Sequence, residues 1–340
     1  MIVVLKPHIS DEQIEDVRHH VVELGYEPRL IKGVQRTVIA AVGDETSHRS
    51  LETLRGMEQV ENVVPIQKRY KLASREFHQA NSKVMIGDSP IGEDHFQIIA
   101  GPCAIESREQ LRQVAKDLTQ CGIRVMRGGA YKPRTSPYDF QGLGDKGVDL
   151  LQEVKEEFGV AVVTEVVGVP QVEKVAKVVD MLQIGARNCQ NYHLLEVVAA
   201  CGKPVLLKRG MASTIEEWLS AAEYLMVNGC TNVVLCERGI RTFETATRNT
   251  LDLSAVAIAK RESHLPVVVD PSHAAGIVNL VPSLARAAIA AGADGLLVEA
   301  HPTPVDALSD AAQQIPSAEF HNLVDELRPW VELAGKTLNG

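Results

Sequence analysis

Aromatic residues are scarce in this chain, 4 % of its 340 residues. Its core must therefore be built from aliphatic side chains, and hydrophobic residues at 45 % supply enough of them for a sizeable one. A basic surplus is also missing. Lys and Arg number 35 against 44 Asp and Glu, a formal charge of −9, whereas proteins that bind nucleic acid or anionic membranes carry a basic excess or stripe. No apolar run reaches the length of a membrane span. Met1 to Pro7 lack both the basic start and the long apolar stretch of a signal peptide. No nucleic acid and no membrane partner is expected, and the expected compartment is the cytoplasm. The cysteines, Cys103, Cys121, Cys189, Cys201, Cys230 and Cys236, form no CxxC pair. That spacing argues against a structural zinc site, and a disulfide framework is not expected in a long cytosolic chain.

What is present begins with a small N-terminal unit. MIVVLKP has the pattern of a strand. Ser10 can cap a helix over DEQIEDVRHHVVELG, with Gln13 at the reciprocal capping position and Gly25 ending it. PRLIKG and QRTVIAAVG fit two strands, SLETLRGMEQV a second helix, and ENVVPIQ a last strand. The order βαββαβ predicts a ferredoxin-like α+β domain over residues 1–70. Residues 71–95 read as a connector, with a helical turn at SREFHQ and a hairpin in KVMIGDSPIGEDHFQ.

From Phe96 onward one pattern recurs: a short apolar strand, a polar cluster, an amphipathic helix. The strands are FQIIAG, RVMRGG, AVVTEV, DMLQIG, PVLLKR, NVVLCE, PVVVD and GLLVEA. Helices follow at REQLRQVAKDLTQCG, GVDLLQEVKEEFG, PQVEKVAKVV, NYHLLEVVAACG, TIEEWLSAAEYLMVNG, LDLSAVAIAKR and LVPSLARAAIAAG. Strands this uniformly apolar are buried on both faces. Eight such units over residues 96–340 predict an α/β fold of the TIM (β/α)8 barrel type rather than a doubly wound open sheet. Gly142-Leu143-Gly144-Asp145-Lys146-Gly147 matches GxGxxG, but a polar loop separates it from the preceding strand. It reads as a loop and helix start, not as a dinucleotide site.

In a barrel the chemistry sits at the C-terminal ends of the strands. Those ends carry Cys103, Arg127 with Lys132-Pro133-Arg134-Thr135-Ser136, Glu165, Ala186 with Arg187, Lys208 with Arg209, Glu237 with Arg238, Asp270 with His273, and Glu299 with His301. Arg127, Lys132, Arg134, Arg187, Lys208 and Arg238 make a ring of cations on an acidic protein. Such a ring fits substrates with several negative charges, because arginine forks match phosphate and carboxylate. Cys103, His273, Glu299 and the downstream Asp310 supply S, N and O donors, a set that suits one divalent transition metal. Each residue alone also has a structural explanation, as packing, capping or solvated rim; their convergence on successive strand ends favours a site.

GPCAIES, KPRTSPYDFQG, GARNCQN, DPSH and EAHP resemble the type I-beta 3-deoxy-D-arabino-heptulosonate 7-phosphate (DAHP) synthases, over the whole barrel. The N-terminal unit resembles the ferredoxin-like regulatory domain of some members. The resemblance implies condensation of phosphoenolpyruvate with erythrose 4-phosphate and water to DAHP and phosphate, opening the shikimate pathway to aromatic amino acids. It makes Cys103, His273, Glu299 and Asp310 the metal ligands, with Mn, Fe, Co and Zn all open. It gives phosphoenolpyruvate to Arg127, Lys132, Glu165, Ala186, Arg187, Lys208 and Arg238, and the phosphate of erythrose 4-phosphate to Arg134 and Thr135. Lys132, Glu165 and His273 are the expected catalytic residues. The group that activates water stays open among Glu165, Asp270 and water on the metal. A homotetramer and feedback control by tyrosine or phenylalanine are further implications, an oligomerisation module being the alternative for the N-terminal domain. The nearest competing reaction is that of 3-deoxy-D-manno-octulosonate 8-phosphate synthase with arabinose 5-phosphate. That family has Lys-Ala-Asn-Arg-Ser where this chain has Lys132-Pro133-Arg134-Thr135-Ser136.

Overall fold

The computed structural model describes residues 1–32, 37–43, 48–64, 69–134 and 136–339, the side chain of Lys32 excepted. The ends of QRTVIAAVG and ENVVPIQ, and Thr135 of the KPRTS motif, lie outside the described residues. The chain divides into two compact units, Met1–Arg69 and Tyr70–Gly340.

The first unit holds β1 (Ile2–Leu5), α1 (Asp11–Glu23), β2 (Glu27–Lys32), β3 (Thr37–Val42) and β4 (Val60–Val64). Its sheet is antiparallel in the order β2-β3-β1-β4. Ser10 and Gln13 cap α1 reciprocally, and Ile14, Val17 and Val21 bury its inner face. The second helix expected over SLETLRGMEQV is only a six-residue 3₁₀ turn, Leu51–Gly56. Its buried residues, Leu51 and Leu54, are three apart, and the next helical positions, Arg55 and Glu58, are exposed. That spacing serves one 3₁₀ turn and gives an α-helix no apolar stripe to continue on.

The second unit opens with turns rather than a helix at SREFHQ. Its backbone is spent elsewhere: Ser74 bridges to Ser263, and Arg75 N–H donates to the Glu262 carbonyl at 3.0 Å. Then come β5 (Lys83–Ile86), β6 (Ser89–Gly92), β7 (His95–Gly101), α2 (Arg108–Gln120), β8 (Val125–Arg127), α3 (Asp145–Phe158), β9 (Ala161–Val166) and α4 (Val169–Val178). The remainder is β10 (Met181–Ile184), α5 (Tyr192–Ala199), β11 (Val205–Lys208), α6 (Ile215–Val227), β12 (Val233–Glu237), α7 (Leu253–Glu262), β13 (Val267–Val269), α8 (Pro271–Ala275), α9 (Val281–Ala290), β14 (Gly295–His301), β15 (Ile315–Pro316), α10 (Phe320–Leu333) and β16 (Thr337–Asn339). Strands β7 to β14 pair in parallel in sequence order, and β14 closes on β7 with Gly295 opposite Gln97. The result is an eight-stranded closed barrel. Helix α10, absent from the segments read in the sequence, buries Phe320, Leu323, Val324, Leu327 and Val331 at helical spacing around an internal Pro329.

Inward residues alternate along each strand. Ile99, Val125, Val163, Met181, Leu206, Val234, Val268 and Leu297 form one buried interior layer, joined by Val84, Ile86 and Ile91 of the β5–β6 hairpin. The hairpin turn meets the start of β9, where a Cβ on Gly87 would lie 3.2 Å from Ala161 Cβ, so the hairpin covers the N-terminal end. Two residues beyond that layer, on the same inward face, stand Arg127, Glu165, Lys208, Asp270 and Glu299. Strand alternation thus delivers chemistry to the opposite end.

Buried His264 fastens the segment before the hairpin. Its Nε2 lies 2.7 Å from the Leu72 carbonyl and its Nδ1 2.7 Å from Ser82 Oγ. A carbonyl only accepts, so the neutral ring carries its proton on Nε2 and accepts the serine hydroxyl on Nδ1. Burial lowers its proton affinity below that of a free imidazole. The unfolded chain then binds more protons than the folded one as pH falls through about 6.5. Acidification from pH 7 to 5 is therefore expected to lower the urea midpoint, and His264→Gln to remove part of that slope. Equal slopes in the two proteins would rule out this contribution.

Candidate active site

Cys103, His273, Glu299 and Asp310 come from β7, β13 and β14 and the loops that follow them. One ligand atom of each lies within 4.8 Å of the others. Cys103 Sγ is 3.4 Å from Asp310 Oδ2, and His273 Nε2 is 3.5 Å from Glu299 Oε1 and 3.8 Å from Asp310 Oδ2. His273 Nδ1 lies 2.7 Å from Asp270 Oδ2, off the line of a straight hydrogen bond. A carboxylate at that distance still favours the proton on Nδ1, which leaves the Nε2 lone pair facing the cluster.

Charge states follow from burial and neighbours. Burial and the nearby Glu299 push the Cys103 thiol up to about 12, against the pull of Lys132. Burial also lowers the His273 imidazolium below its ordinary value. Burial resists ionisation of Glu299, but the His273 ring and Arg127 outweigh it and hold the carboxyl low. For Asp310 the same opposition is won by His273 and Arg248. Neutral imidazole, two carboxylates and a thiol that a cation can deprotonate fit a divalent transition metal.

The cations divide into two groups. Arg127 is buried behind the cluster, where it donates to Glu299 and, at 3.3 Å, to the Cys103 carbonyl; its Nε has no hydrogen-bond partner among the described residues. Lys132 Nζ is 3.1 Å from both the carbonyl oxygen and the sulfur of Cys103. Lys208 Nζ donates to Asp270 Oδ2 at 2.5 Å. Among the described residues Arg238 has no carboxylate hydrogen-bond partner: it donates to the carbonyls of Gly239 and His273 at 3.3 and 3.4 Å. Arg187 is exposed, and Arg134 meets Asp139 at 3.3 Å.

One pocket at the barrel mouth is lined by Lys132, Arg134, Glu165, Ala186, Arg187, Lys208, Arg238, His273 and Asp310, together with Pro133, Asp139, Gly185, Met211 and Arg248. Glu165 accepts from Gln183 Nε2 at 3.0 Å. Its carboxylate leans on β10 so closely that a Cβ on Gly185 would sit 2.0 Å from Oε1; only glycine leaves Glu165 that position. Cys103, Arg127 and Glu299 are buried and linked to these lining residues by the contacts above.

Some strand-end charges face the other way. Arg209 pairs with Glu237 and Asp252, each at 2.9 Å, with its guanidinium 6.0 Å from the Trp218 ring centre. His301 and Glu106 meet at 3.3 Å, and Glu106 also accepts the Leu308 N–H, which fastens the loop leading to Asp310. The GxGxxG segment is a loop up to Gly144 and the first turn of α3 from Asp145. Sequence reasoning missed Arg248, Gln313 and Gln314. Arg248 donates to Asp310 and Gln313, Gln313 to Glu299, and Gln314 accepts from Cys103 N–H at 3.1 Å. Arg248 and Gln314 lie in loops and Gln313 ends the 3₁₀ turn Ala311–Gln313, none with a periodic signal; only the nearness of Gln313 and Gln314 to EAHP in the chain could have drawn attention to them.

The profile of the DAHP synthetase I family matches residues 58–332, and that of the DAHP synthase ferredoxin-like domain matches residues 1–68. A Thermotoga maritima protein named phospho-2-dehydro-3-deoxyheptonate aldolase is 50 % identical over 339 residues, covering 100 % of both chains. Its crystal structure superposes with a TM-score of 0.94 over 99 % of each chain at 49 % identity. A Bordetella petrii 2-dehydro-3-deoxyphosphooctonate aldolase is 38 % identical, over 70 % of this chain and 91 % of its own. No helix among the described residues is long and apolar enough to cross a membrane.

Proposed function

The chain belongs to the DAHP synthetase I family and its reaction is that of a DAHP synthase, the condensation of phosphoenolpyruvate with erythrose 4-phosphate and water; on that premise we propose how its barrel mouth divides the work. Cys103, His273, Glu299 and Asp310 would hold one divalent ion, drawn from Mn, Fe, Co or Zn. Lewis-acid polarisation of the aldehyde oxygen is what such an ion supplies when bound. The observation that carries this reading is the four-donor cluster beneath a pocket rimmed with cations.

The chain's own residues do the rest. Arg127, Lys132, Arg187, Lys208 and Arg238 bind the phosphate and carboxylate of phosphoenolpyruvate, with Glu165 and Ala186 lining that pocket. Arg238 pairs with no carboxylate among the described residues, which leaves its charge available to an anion. Arg127 keeps Glu299 ionised, and Lys132 favours the thiolate of Cys103 while facing the substrates. Arg134 and Thr135 take the phosphate of erythrose 4-phosphate. Held in this way, C3 of phosphoenolpyruvate lies within reach of the aldehyde carbon, and fixed orientation replaces random encounter. Attack places positive charge on C2, water adds there, and phosphate leaves.

The N-terminal unit serves feedback control by tyrosine or phenylalanine, and the protein works as a homotetramer in the cytoplasm; the match of residues 1–68 to a DAHP synthase domain supports the regulatory role. Phosphate release from phosphoenolpyruvate tests the whole reading. Turnover is expected with erythrose 4-phosphate and not with arabinose 5-phosphate. Tyrosine or phenylalanine should slow the full chain but not a chain lacking residues 1–69. Turnover with the five-carbon sugar alone would move the protein to the phosphooctonate reaction. Equal inhibition with and without residues 1–69 would remove the regulatory role.

A further inference from the structure

None of the roles assigned so far uses Arg248, which follows β12 in a segment closed by the Ile240–Thr250 bridge. Its backbone is docked on α8, the short helix that carries His273. Arg248 N–H donates to the Ala275 carbonyl at 3.0 Å and Asn249 N–H to that of Ala274 at 2.8 Å. Asn249 Nδ2 donates to the carbonyl of His273 itself at 3.1 Å. The approach is close: a Cβ on Gly276, whose φ is +69°, would fall 2.7 Å from Arg248 Cβ.

The Arg248 side chain reaches towards the β14 loop. Nη1 donates to Asp310 Oδ2 at 3.0 Å and to Gln313 Oε1 at 2.9 Å. Gln313 is buried, and its Nε2 donates to Glu299 Oε2 at 2.7 Å. Asp310 needs such support, because no strand or helix contains it. Its φ of +48° is a left-handed conformation uncommon outside glycine, though aspartate adopts it more readily than most residues.

We infer that Arg248 and Gln313 are positioning residues for the donor cluster, linking Asp310 to Glu299 through side chains and to His273 through the backbone of α8. The inference rests on the metal reading of that cluster. It makes a prediction of definite sign. The charge of Arg248 repels a divalent cation, so charge alone says that removing it tightens metal binding. Its geometry aligns donors from separate loops, so positioning says that removing it loosens binding. Positioning partners of this kind are worth about tenfold to a hundredfold in metal affinity.

Full-length protein freed of metal is titrated with Co(II), with affinity read by competition against a chromophoric chelator and geometry by the visible absorption of the bound ion. Arg248→Ala and Gln313→Leu are each expected to weaken binding about tenfold to a hundredfold and to alter the spectrum. Arg248→Lys, which keeps the charge and a donor, recovers part of the loss. Binding as tight as or tighter than that of the unmodified protein, with an unchanged spectrum, in either Arg248→Ala or Gln313→Leu overturns the inference. Failure of the unmodified protein to bind Co(II) overturns the four-donor reading itself, a separate outcome.

Discussion

Replacing Cys103 by alanine is expected to lower turnover about a thousandfold while leaving the fold intact. The side chain is buried, with its sulfur 3.4 Å from Asp310 Oδ2 and 3.1 Å from Lys132 Nζ. Alanine removes one atom from the core, so the loss in packing is small. It also removes the only sulfur donor in the cluster. Lewis-acid stabilisation of developing charge is worth several kcal/mol, and each ~1.4 kcal/mol is a factor of ten in rate. The check is kcat with both substrates at saturating metal, beside a melting curve. A variant that melts normally and keeps more than about a tenth of the activity would place the essential ion elsewhere.

Lys208→Met is expected to cost stability as well as substrate binding. Lys208 and Asp270 are both buried, and their pair lies between β11 and β13 at the base of the mouth. Burial disfavours the Asp270 carboxylate, yet the His273 ring, Lys208 and the His273 backbone N–H hold it well below the usual carboxylate range. Removing one partner of a buried pair costs about 3–5 kcal/mol, because the other charge stays behind. At roughly 2–4 °C per kcal/mol for a domain of this size, melting should fall by roughly 10 °C. Adding Asp270→Asn to Lys208→Met should recover part of that loss, since the stranded charge is gone. The concentration of phosphoenolpyruvate needed for half-maximal rate rises in both. An unchanged melting temperature in the single variant would show that Asp270 does not depend on Lys208.

The barrel was legible because its strands are buried on both faces. Runs such as Val205–Lys208 and Val267–Val269 have no alternation to confuse with an amphipathic helix, and the helices read after Ser107 and at Thr214 are there, each capped by that side chain. Leu51–Gly56 was not legible as a 3₁₀ turn, because its one apolar pair also suits the start of a longer helix. Pro329 hid α10 by interrupting a sound apolar spacing.

At the site, sequence order named the strand ends but not which way each residue faces. Lys208 and Arg209 are adjacent cations; one lines the mouth and the other is spent on Glu237 and Asp252. Period-two alternation separates them once a neighbour is known to face inward: Leu206 sits in the interior layer, so Lys208 follows it and Arg209 does not. Arg248 and Gln313 offered no such handle. Their positions depend on loops docking against α8 and β14, contacts between segments far apart in the chain.

The most direct test of the account is to titrate chelator-treated full-length protein with a divalent metal and follow phosphate release from phosphoenolpyruvate and erythrose 4-phosphate. The four-donor reading predicts almost no turnover without metal, a linear rise, and a break at one ion per chain. Full turnover that persists after chelation, with no metal bound, would contradict it.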